Sequence, residues 1–376
     1  MPDDAQMGAA PPLDDSIRAP ERPPAASVGL LGWLRQNLFD GVWNSILTLL
    51  ALALLIWAVP PIVEWVFVQA IWGPAPPEAC RGAEGACWAM LHQKYRLILF
   101  GRYPYEEQWR PLLGMAVLIL LIAVSCNRRN WKPWLAGAWG VGFAAFFGLM
   151  WGGFLGMPYV RNELWGGLPL TLLLALIGIA VAFPLAILLA LGRRSHMPVI
   201  RAICVCYIEL IRGVPLVSLL FMASFMLPLF MPVGVSIDAV LRAQIAIILF
   251  SAAYLAEVIR GGLQAIPRGQ FEAADALGLG YWRTQRLIIL PQAIRLVIPP
   301  IVNTFIGLFK DTSLVAIVSL TDLLLAMRQA LADPAWRAYF VEGYIFVALI
   351  YFCFCFFMSK YSQHLEREFQ TGHRRR

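Results

Sequence analysis

Residues 167–192 read GLPLTLLLALIGIAVAFPLAILLALG, a run of 26 residues that contains no charged side chain. A helix needs about 20 such residues to cross the hydrocarbon core of a bilayer. Other stretches of similar length and polarity flank this run, so the sequence predicts about eight transmembrane helices. Together the eight stretches are 42–68, 109–126, 134–157, 167–192, 203–230, 242–262, 296–320 and 340–359.

The composition of the 376-residue chain agrees with this pattern. Charged residues make up 14% and hydrophobic residues 60%, whereas a soluble domain carries about 25% charge. No region shows the alternating ten-residue segments of a membrane barrel. We therefore expect an all-α integral membrane protein, which excludes an ordinary soluble enzyme and a disordered protein. The net charge of +7 does not indicate nucleic acid, because the basic residues gather in short loops.

Those basic residues orient the predicted helices, because loops rich in Lys and Arg remain in the cytoplasm. The segments 127–133, 193–203, 260–295 and 360–376 are rich in them, and the alternate loops are poorer. Both termini are therefore expected in the cytoplasm. The segment 72–111 runs against this rule, because it is predicted to lie outside although it holds five Lys and Arg residues.

Composition also divides the chain into four parts. Residues 1–38 are rich in Pro, Ala and Asp and lack the pattern of a signal peptide, which predicts a cytoplasmic leader that is disordered or lies on the surface. Residues 39–160 hold about three crossings and a periplasmic loop at 72–111. Residues 161–359 hold five crossings, and residues 360–376 form a basic cytoplasmic tail.

The cytoplasmic segment 264–291 has the features of a short docking helix. Pro267 and Gly269 interrupt the chain before it, and Glu272 and Asp275 fall in its early turns, where carboxylates suit the positive end of a helix. Residues at three- and four-residue spacing are expected to share one face that a partner can approach closely. An interfacial helix lying on the membrane is the alternative. The expected face comprises Ala274, Leu277, Gly278 and Tyr281.

The same segment resembles the EAA loop of ATP-binding-cassette importer permeases. Glu272-Ala273-Ala274, Gly278 and Ile288-x-Leu290-Pro291 match that motif in residue type and spacing. The resemblance implies a five-helix permease core and a coupling helix that docks into a groove on a cytoplasmic ATPase. It assigns ATPase coupling to Glu272, Ala273, Ala274, Gly278, Leu290 and Pro291.

Further motifs resemble the polar amino acid branch of these permeases. Phe100-Gly-Arg-Tyr-Pro104 and Trp109-Arg-Pro111 are similar to the M-type membrane subunit of general L-amino acid importers. The resemblance therefore implies translocation of polar L-amino acids across a bacterial inner membrane. The branch motifs are Glu209-Leu-Ile-Arg212-Gly213-Val-Pro215-Leu216, Gly269-Gln270 and Lys310-Asp311-Thr312-Ser313-Leu314.

The resemblance also implies the partners. These are a second related permease subunit, a pair of cytoplasmic ATP-binding subunits, a periplasmic amino acid binding protein and membrane lipid. The sequence has no Gly-x-x-x-x-Gly-Lys-Ser/Thr phosphate loop. We therefore expect a transport subunit without a cofactor of its own, and ATP and Mg²⁺ bound by the partner ATPase.

Ionisable residues at membrane depth are costly and mark candidate functional positions. Glu209 and Arg212 can pair on one helical face. They then either line a cavity that meets the charged ends of an amino acid, or form a structural ion pair or interface anchor. Glu257 and Arg260 are expected to pair at the cytoplasmic interface.

A second candidate group follows the helix-breaking Pro299-Pro300. Broken helices often line transport cavities, because their freed backbone groups need polar company. These residues either belong to the substrate pathway or cap the broken helix. They are Asn303, Lys310, Asp311 and Thr312.

The cysteines divide into two kinds. Cys80 and Cys87 lie in the polar segment 72–111, where they form a disulfide if the segment faces an oxidising compartment and remain free thiols otherwise. The others lie in or beside apolar runs without clustered His or carboxylate groups, so no metal site is predicted.

Two other function classes make different demands on the sequence. A secondary transporter driven by an ion gradient needs an unpaired acid at mid-membrane and no docking loop. Glu209 and Asp311 are the candidates for that acid, and each has a cation nearby. A membrane enzyme needs a catalytic cluster, and the sequence contains no such cluster at membrane depth.

Overall fold

The computed structural model describes residues 29–232 and 234–374. Within these ranges the chain is largely helical, and its β structure consists of two isolated bridges, which confirms the predicted all-α class. The helices are α1 Gly29–Asn37, α2 Val42–Val63, α3 Pro77–Cys80, α4 Ala89–Phe100, α5 Trp109–Cys126, α6 Pro133–Trp151, α7 Gly167–Arg193, α8 Pro198–Arg212, α9 Leu216–Phe221, α10 Ala239–Gln264, α11 Arg268–Ala276, α12 Tyr281–Thr284, α13 Leu290–Leu296, α14 Ile298–Asp311, α15 Leu323–Ala330 and α16 Phe340–Arg374.

Among the described residues, seven helical segments are long and apolar enough to cross a membrane, and a bent pair makes an eighth. The expected number of about eight is therefore confirmed. The seven are Val42–Val68, Tyr105–Cys126, Pro133–Trp151, Gly167–Arg193, Ala239–Gln264, Ile298–Val318 and Arg337–Phe369, and the bent pair is Pro198–Arg212 with Leu216–Phe230.

The chain forms two compact units, and the first contains α1, α2 and residues 84–86. Helix α1 shows that the expected disordered leader is wrong for residues 29–37. The physical reason is that this stretch has no proline and contains three Leu, one Arg and one Gln, which favour helix. The rest of the predicted leader, residues 1–28, lies outside the described residues.

The second unit is built around α7 and α10. A Cβ atom at Gly178 of α7 would lie 3.4 Å from Ile247 of α10 and 3.3 Å from Leu308 of α14, so three helices meet at this glycine. Helices α5 and α6 form a hairpin, in which a Cβ atom at Gly114 would lie 2.9 Å from the ring of Phe146. These small residues allow the close helix approach that packing in a membrane requires.

The predicted crossing 203–230 is bent. Helices α8 and α9 meet at 103° across residues 213–215. Pro215 has no backbone N–H and disfavours the helical conformation of the residue before it, so the helix ends there and restarts. The first half starts at Pro198, earlier than predicted, because proline is well accommodated in the first helical turn.

The predicted loop 72–111 is instead a packed cover that contains α4. Met90 and Ile98 of α4 are fully buried, and α4 packs against α7, α15 and α16. The backbone N–H of Cys87 donates to the Glu342 carboxylate at 2.8 Å, and Lys94 Nζ lies 2.8 Å from Asp333 Oδ2. Buried side chains on α4 explain why a segment with many charges still folds onto the helices.

The C-terminal part also departs from a simple crossing and tail. The chain breaks at Val297 between α13 and α14, and Pro299 and Pro300 stand in the first turn of α14, where a missing N–H costs little. Helix α16 continues through most of the predicted tail to Arg374. Residues 375 and 376 lie outside the described ranges.

Candidate coupling and transport site

The segment with the importer motif forms the short helix α11, which follows Pro267 and ends in a glycine cap. The N–H of Gly278 donates to Asp275 O at 2.9 Å, and the N–H of Leu279 donates to Ala274 O at 3.1 Å. Gly278 has a φ of +67°. This bonding pattern with a left-handed glycine is the Schellman motif. Gly278 therefore has a structural role, since it stops the helix and turns the chain toward α12.

The expected single face of Ala274, Leu277, Gly278 and Tyr281 is wrong, because α11 stops at Ala276 before the repeat is completed. Ala274 is completely buried within this chain, whereas Leu277 is 75% exposed. Glu272 and Ala273 are also exposed. The outward surface of the segment therefore carries the exposed side chains of Glu272, Ala273, Leu277, Tyr281 and Trp282.

Polar contacts join α11 to α13. Gln292 Nε2 donates to Gln270 Oε1 at 3.0 Å and to Ile288 O at 2.9 Å. Residues 285–289 form a π-helical turn just before Leu290 and Pro291. Pro291 cannot donate to the carbonyl four residues earlier, which favours such a local widening of the helix. Leu290 and Pro291 therefore begin α13 directly after a widened helical turn.

Near their C-terminal ends, α7, α8 and α10 carry a cluster of charges. Glu209 pairs with Arg193 at 2.8 Å, and Arg212 lies 4.0 Å from Glu257, so Glu209 and Arg212 do not form the predicted pair with each other. Glu257 also lies 3.4 Å from Arg193 and binds Arg260 through two hydrogen bonds, as expected. Three packed helices, α7, α8 and α10, bring these side chains together.

The cluster places Glu209 and Arg212 at the same end of the bundle as the C-terminus of α7. The reason is the bend after α8, which keeps this helix short and beside the helix ends. Sequence reasoning missed Arg193 as a member. The available signal was its position as the first charge after the 26-residue apolar run.

The polar residues in α14 and directly after it occupy different environments. Asn303 and Lys310 are exposed and seven residues apart, which places them on one side of the helix. Thr312 is completely buried, and its hydroxyl donates to Phe309 O at 2.7 Å, which matches the capping alternative. Among the described residues, no hydrogen bond or ion pair in the structure joins this group to Glu209 or Arg212.

Asp322 is a buried charge that sequence reasoning missed. Its carboxylate accepts hydrogen bonds from the N–H groups of Leu324 and Leu325 at 2.9 and 3.0 Å and so caps α15. Burial raises the pKa of Asp322 to about 6, and the two backbone hydrogen bonds oppose that shift. The signal was an Asp directly before a leucine-rich helical stretch.

In the packed cover formed by segment 72–111, the sulfur atoms of Cys80 and Cys87 are bonded to each other, with 5.8 Å between the Cα atoms. Both residues are buried, beside Met90 and Trp336. The bond closes the short turn that precedes α4. The segment therefore combines a covalent link with the packing and the ion pair described above.

Comparison with known proteins places this architecture in a family. Residues 182–370 match the family described as "Binding-protein-dependent transport system inner membrane component". The chain is 50% identical over 347 residues to the inner membrane amino-acid ABC transporter permease protein YhdY of Escherichia coli (strain K12), covering 90% of this chain and 93% of that protein.

Two further proteins are similar to this chain. It is 40% identical over 423 residues to the glutamate/glutamine/aspartate/asparagine transport system permease protein BztC of Rhodobacter capsulatus, covering 95% and 97% of the two chains. A solved amino acid ABC transporter with histidines is 33% identical at a TM-score of 0.48, covering 54% of this chain and 92% of that chain. The chain belongs to the family of binding-protein-dependent transport system inner membrane components, as a permease of the amino-acid ABC transporter group.

Proposed function

We propose that this permease carries polar L-amino acids across the inner membrane and is driven by a pair of ATP-binding subunits that dock on the segment 264–291. The observation that carries the proposal is the outward surface of this segment, with Leu277 75%, Tyr281 52% and Trp282 67% exposed beside the Glu272 carboxylate. Large exposed apolar side chains grouped in this way are typical of an interaction site.

The contacts inside the chain support a route for the motion. Ala274 anchors α11 inward, and the Gln270–Gln292 hydrogen bond joins it to α13. A Cβ atom at Gly262 of α10 would lie 2.6 Å from the carbonyl oxygen of Ala293, so α13 in turn packs closely on α10. A displacement of α11 is therefore transmitted to the core helix α10 through contiguous contacts. ATP binding can shift the conformation of the permease only if those contacts differ between two states.

We further propose that the substrate path uses the exposed polar side of α14, with Asn303 and Lys310, and that Asp311 and Thr312 shape its end. Lys310 borders a small cavity of about 270 Å³ together with Ser313 and Tyr351. A cationic and an amide side chain suit the carboxylate of an amino acid. We assign Glu209 and Arg212 to the charge cluster and not to the substrate path. Their ion-pair partners are expected to change when the ends of α7, α8 and α10 move apart or together.

The arrangement of the complex follows from the same proposal. Both termini and the segment 264–291 lie in the cytoplasm, ATP and Mg²⁺ bind the partner subunits, and a periplasmic binding protein delivers the substrate on the other side. A second related permease completes the pathway. The basic loops of the sequence support this orientation.

The test is uptake of a labelled L-amino acid mixture into proteoliposomes that contain the complex purified through this chain. Uptake is expected to require internal ATP and the soluble binding protein. Uptake that follows an imposed proton or sodium gradient without ATP would instead establish the secondary-transporter alternative.

A charge reversal tests the coupling assignment separately. Glu272→Lys is expected to abolish co-purification of the ATPase while the permease still inserts into the membrane. Glu163→Lys is the matched control, because Glu163 is also exposed and lies outside the segment 264–291. Normal co-purification and uptake with Glu272→Lys would contradict the assignment.

A further inference from the structure

A large apolar cleft lies between the α5–α6 hairpin and the core helices α7, α14 and α16. Its volume is about 750 Å³, within the range of about 300–1,000 Å³ for pockets that hold small molecules. Aromatic and aliphatic side chains line most of it, among them Phe143, Phe183, Phe305 and Phe357. Pro291 also lines the cleft, which brings the end of the coupling segment to its wall.

Two arginines of the cleft contact the same aromatic ring. Arg128 follows α5 and Arg295 lies near the end of α13, and both side chains line the cleft. Their Cζ atoms lie 4.8 and 5.3 Å from the ring centroid of Phe369, so the same aromatic ring holds both guanidinium groups. In the part of the chain that the structure describes, neither group forms an ion pair.

Both arginines are predicted to lie on the cytoplasmic side of the membrane. Arg128 belongs to the basic segment 127–133 and Arg295 to the basic segment 260–295, which the loop-charge rule assigns to the same side. Trp131 and Trp139 also line the cleft, and both donate hydrogen bonds to Ser125, three residues before Arg128. Trp is enriched at the level of lipid headgroups. The arginines and tryptophans therefore suit a lipid headgroup, and the apolar interior suits its acyl chains.

We propose that the cleft binds an anionic phospholipid, with the phosphate between Arg128 and Arg295 and acyl chain in the apolar interior. An apolar cavity without contents loses dispersion contacts along its walls, and acyl chain is the material that a bilayer supplies. Guanidinium groups bind phosphate with two parallel hydrogen bonds. A headgroup without an ammonium fits best, because among the residues that the structure describes no carboxylate forms an ion pair with either arginine and could receive an ammonium there. Basic pockets between transmembrane helices on the cytoplasmic side suit such lipids.

The bound lipid has a mechanical consequence. Arg128 belongs to the hairpin side of the cleft, whereas Arg295 and Pro291 belong to the connection between the coupling segment and α14. One phosphate held by both arginines therefore braces the hairpin against the segment that transmits motion. The proposal concerns this chain and the membrane, and it does not depend on which solute is carried.

Native mass spectrometry of the purified full chain tests the proposal with phosphatidylglycerol and phosphatidylethanolamine that have identical acyl chains. One phosphatidylglycerol is expected to bind each chain, more tightly than phosphatidylethanolamine. The double variant Arg128→Gln/Arg295→Gln is expected to weaken phosphatidylglycerol binding about 30-fold, because each arginine contributes about fivefold. Arg129→Gln is the matched control, because Arg129 is exposed in the same loop and does not line the cleft.

A second pair of variants tests the position of the acyl chain without changing charge. Ala180→Trp adds bulk inside the cleft, whereas Val181→Trp adds it at the next residue, which is exposed elsewhere on α7. Only the first is expected to displace phosphatidylglycerol. Equal binding of the two lipids, or a double variant that behaves like Arg129→Gln, would overturn the proposal. So would an Ala180→Trp variant that retains the lipid but loses the second permease, because the cleft would then be a protein interface.

Discussion

The glycine cap of α11 allows a test in which geometry alone decides the result. Gly278 has a φ of +67°, and a Cβ atom added there would meet nothing within 4 Å. Any effect of Gly278→Ala therefore comes from the backbone conformation and not from a clash. A residue with a Cβ atom in the left-handed region costs about 1–2 kcal/mol.

The consequence of that cost follows from the two bonds of the cap. If the chain relaxes to a normal φ, the N–H groups of Gly278 and Leu279 lose their acceptors at Asp275 and Ala274. The exposed Leu277 and Trp282, on either side of the cap, then change their relative positions. Since 1.4 kcal/mol corresponds to a factor of ten, we expect the affinity of the ATPase for this permease to fall about 5- to 30-fold.

Gly280→Ala is the matched control for this variant. Gly280 lies two residues away, also has open space around it, and has an ordinary φ of −69°. Gly278→Asn should retain most of the affinity, because Asn tolerates the left-handed region better than Ala. Both are measured as ATPase affinity and binding-protein-stimulated ATP hydrolysis in proteoliposomes. Equal behaviour of Gly278→Ala and Gly280→Ala would refute the role of the cap.

Three further predictions concern charges and the packed cover. Glu257→Gln leaves three guanidinium groups without their shared carboxylate, so thermal unfolding in detergent should show that the free energy of unfolding falls by about 2 kcal/mol after allowance for partial exposure. The control Glu163→Gln, at an exposed position, should lower it by less than about 0.5 kcal/mol. Equal losses would contradict the cluster. Because burial raises the pKa of Asp322 to about 6, the folded chain holds a proton that the unfolded chain releases near pH 4. The stability that this proton contributes is lost as the pH rises from about 4 to 6. Asp322→Asn lacks this titration, so its free energy of unfolding should rise relative to that of the natural protein over this interval and stay at a constant difference above it. A difference that does not change between pH 4 and 6 would exclude the raised pKa. Finally, a maleimide added to the protein unfolded in SDS should label Cys80 and Cys87 only after reduction, because unfolding exposes two residues that are buried in the folded chain. Replacing both by Ser should cost about 2–3 kcal/mol; labelling without reduction would contradict the bond.

The amino-acid sequence determined the crossings and the location of the coupling segment. Membrane helices form from contiguous apolar runs, because every backbone polar group in the bilayer must be satisfied within the helix itself. That condition is local, so the run 167–192 could be identified from composition alone. The motif at Glu272-Ala273-Ala274 is equally local, since it depends on residue type and spacing.

Tertiary structure decided which way the side chains of the motif point. Helical periodicity placed Ala274 and Leu277 on one face, but the cap at Gly278 ends the helix first, so one is buried and the other is exposed. The stop itself is a local property. Its effect on exposure depends on packing of α11 against the rest of the chain, which periodicity does not describe.

The same distinction separates the candidate ion pairs. Glu257 and Arg260 are one helical turn apart, so their pairing could be predicted from spacing. Glu209 has Arg212 at the same spacing and nevertheless binds Arg193, which belongs to another helix. The choice depends on how α7, α8 and α10 pack, and this packing is set by long-range contacts. Sequence alone therefore determined which residues carry charge and which stretches span the membrane, while the packing of the helices decided which charges meet, because partners distant in the chain are brought together only by the folded bundle.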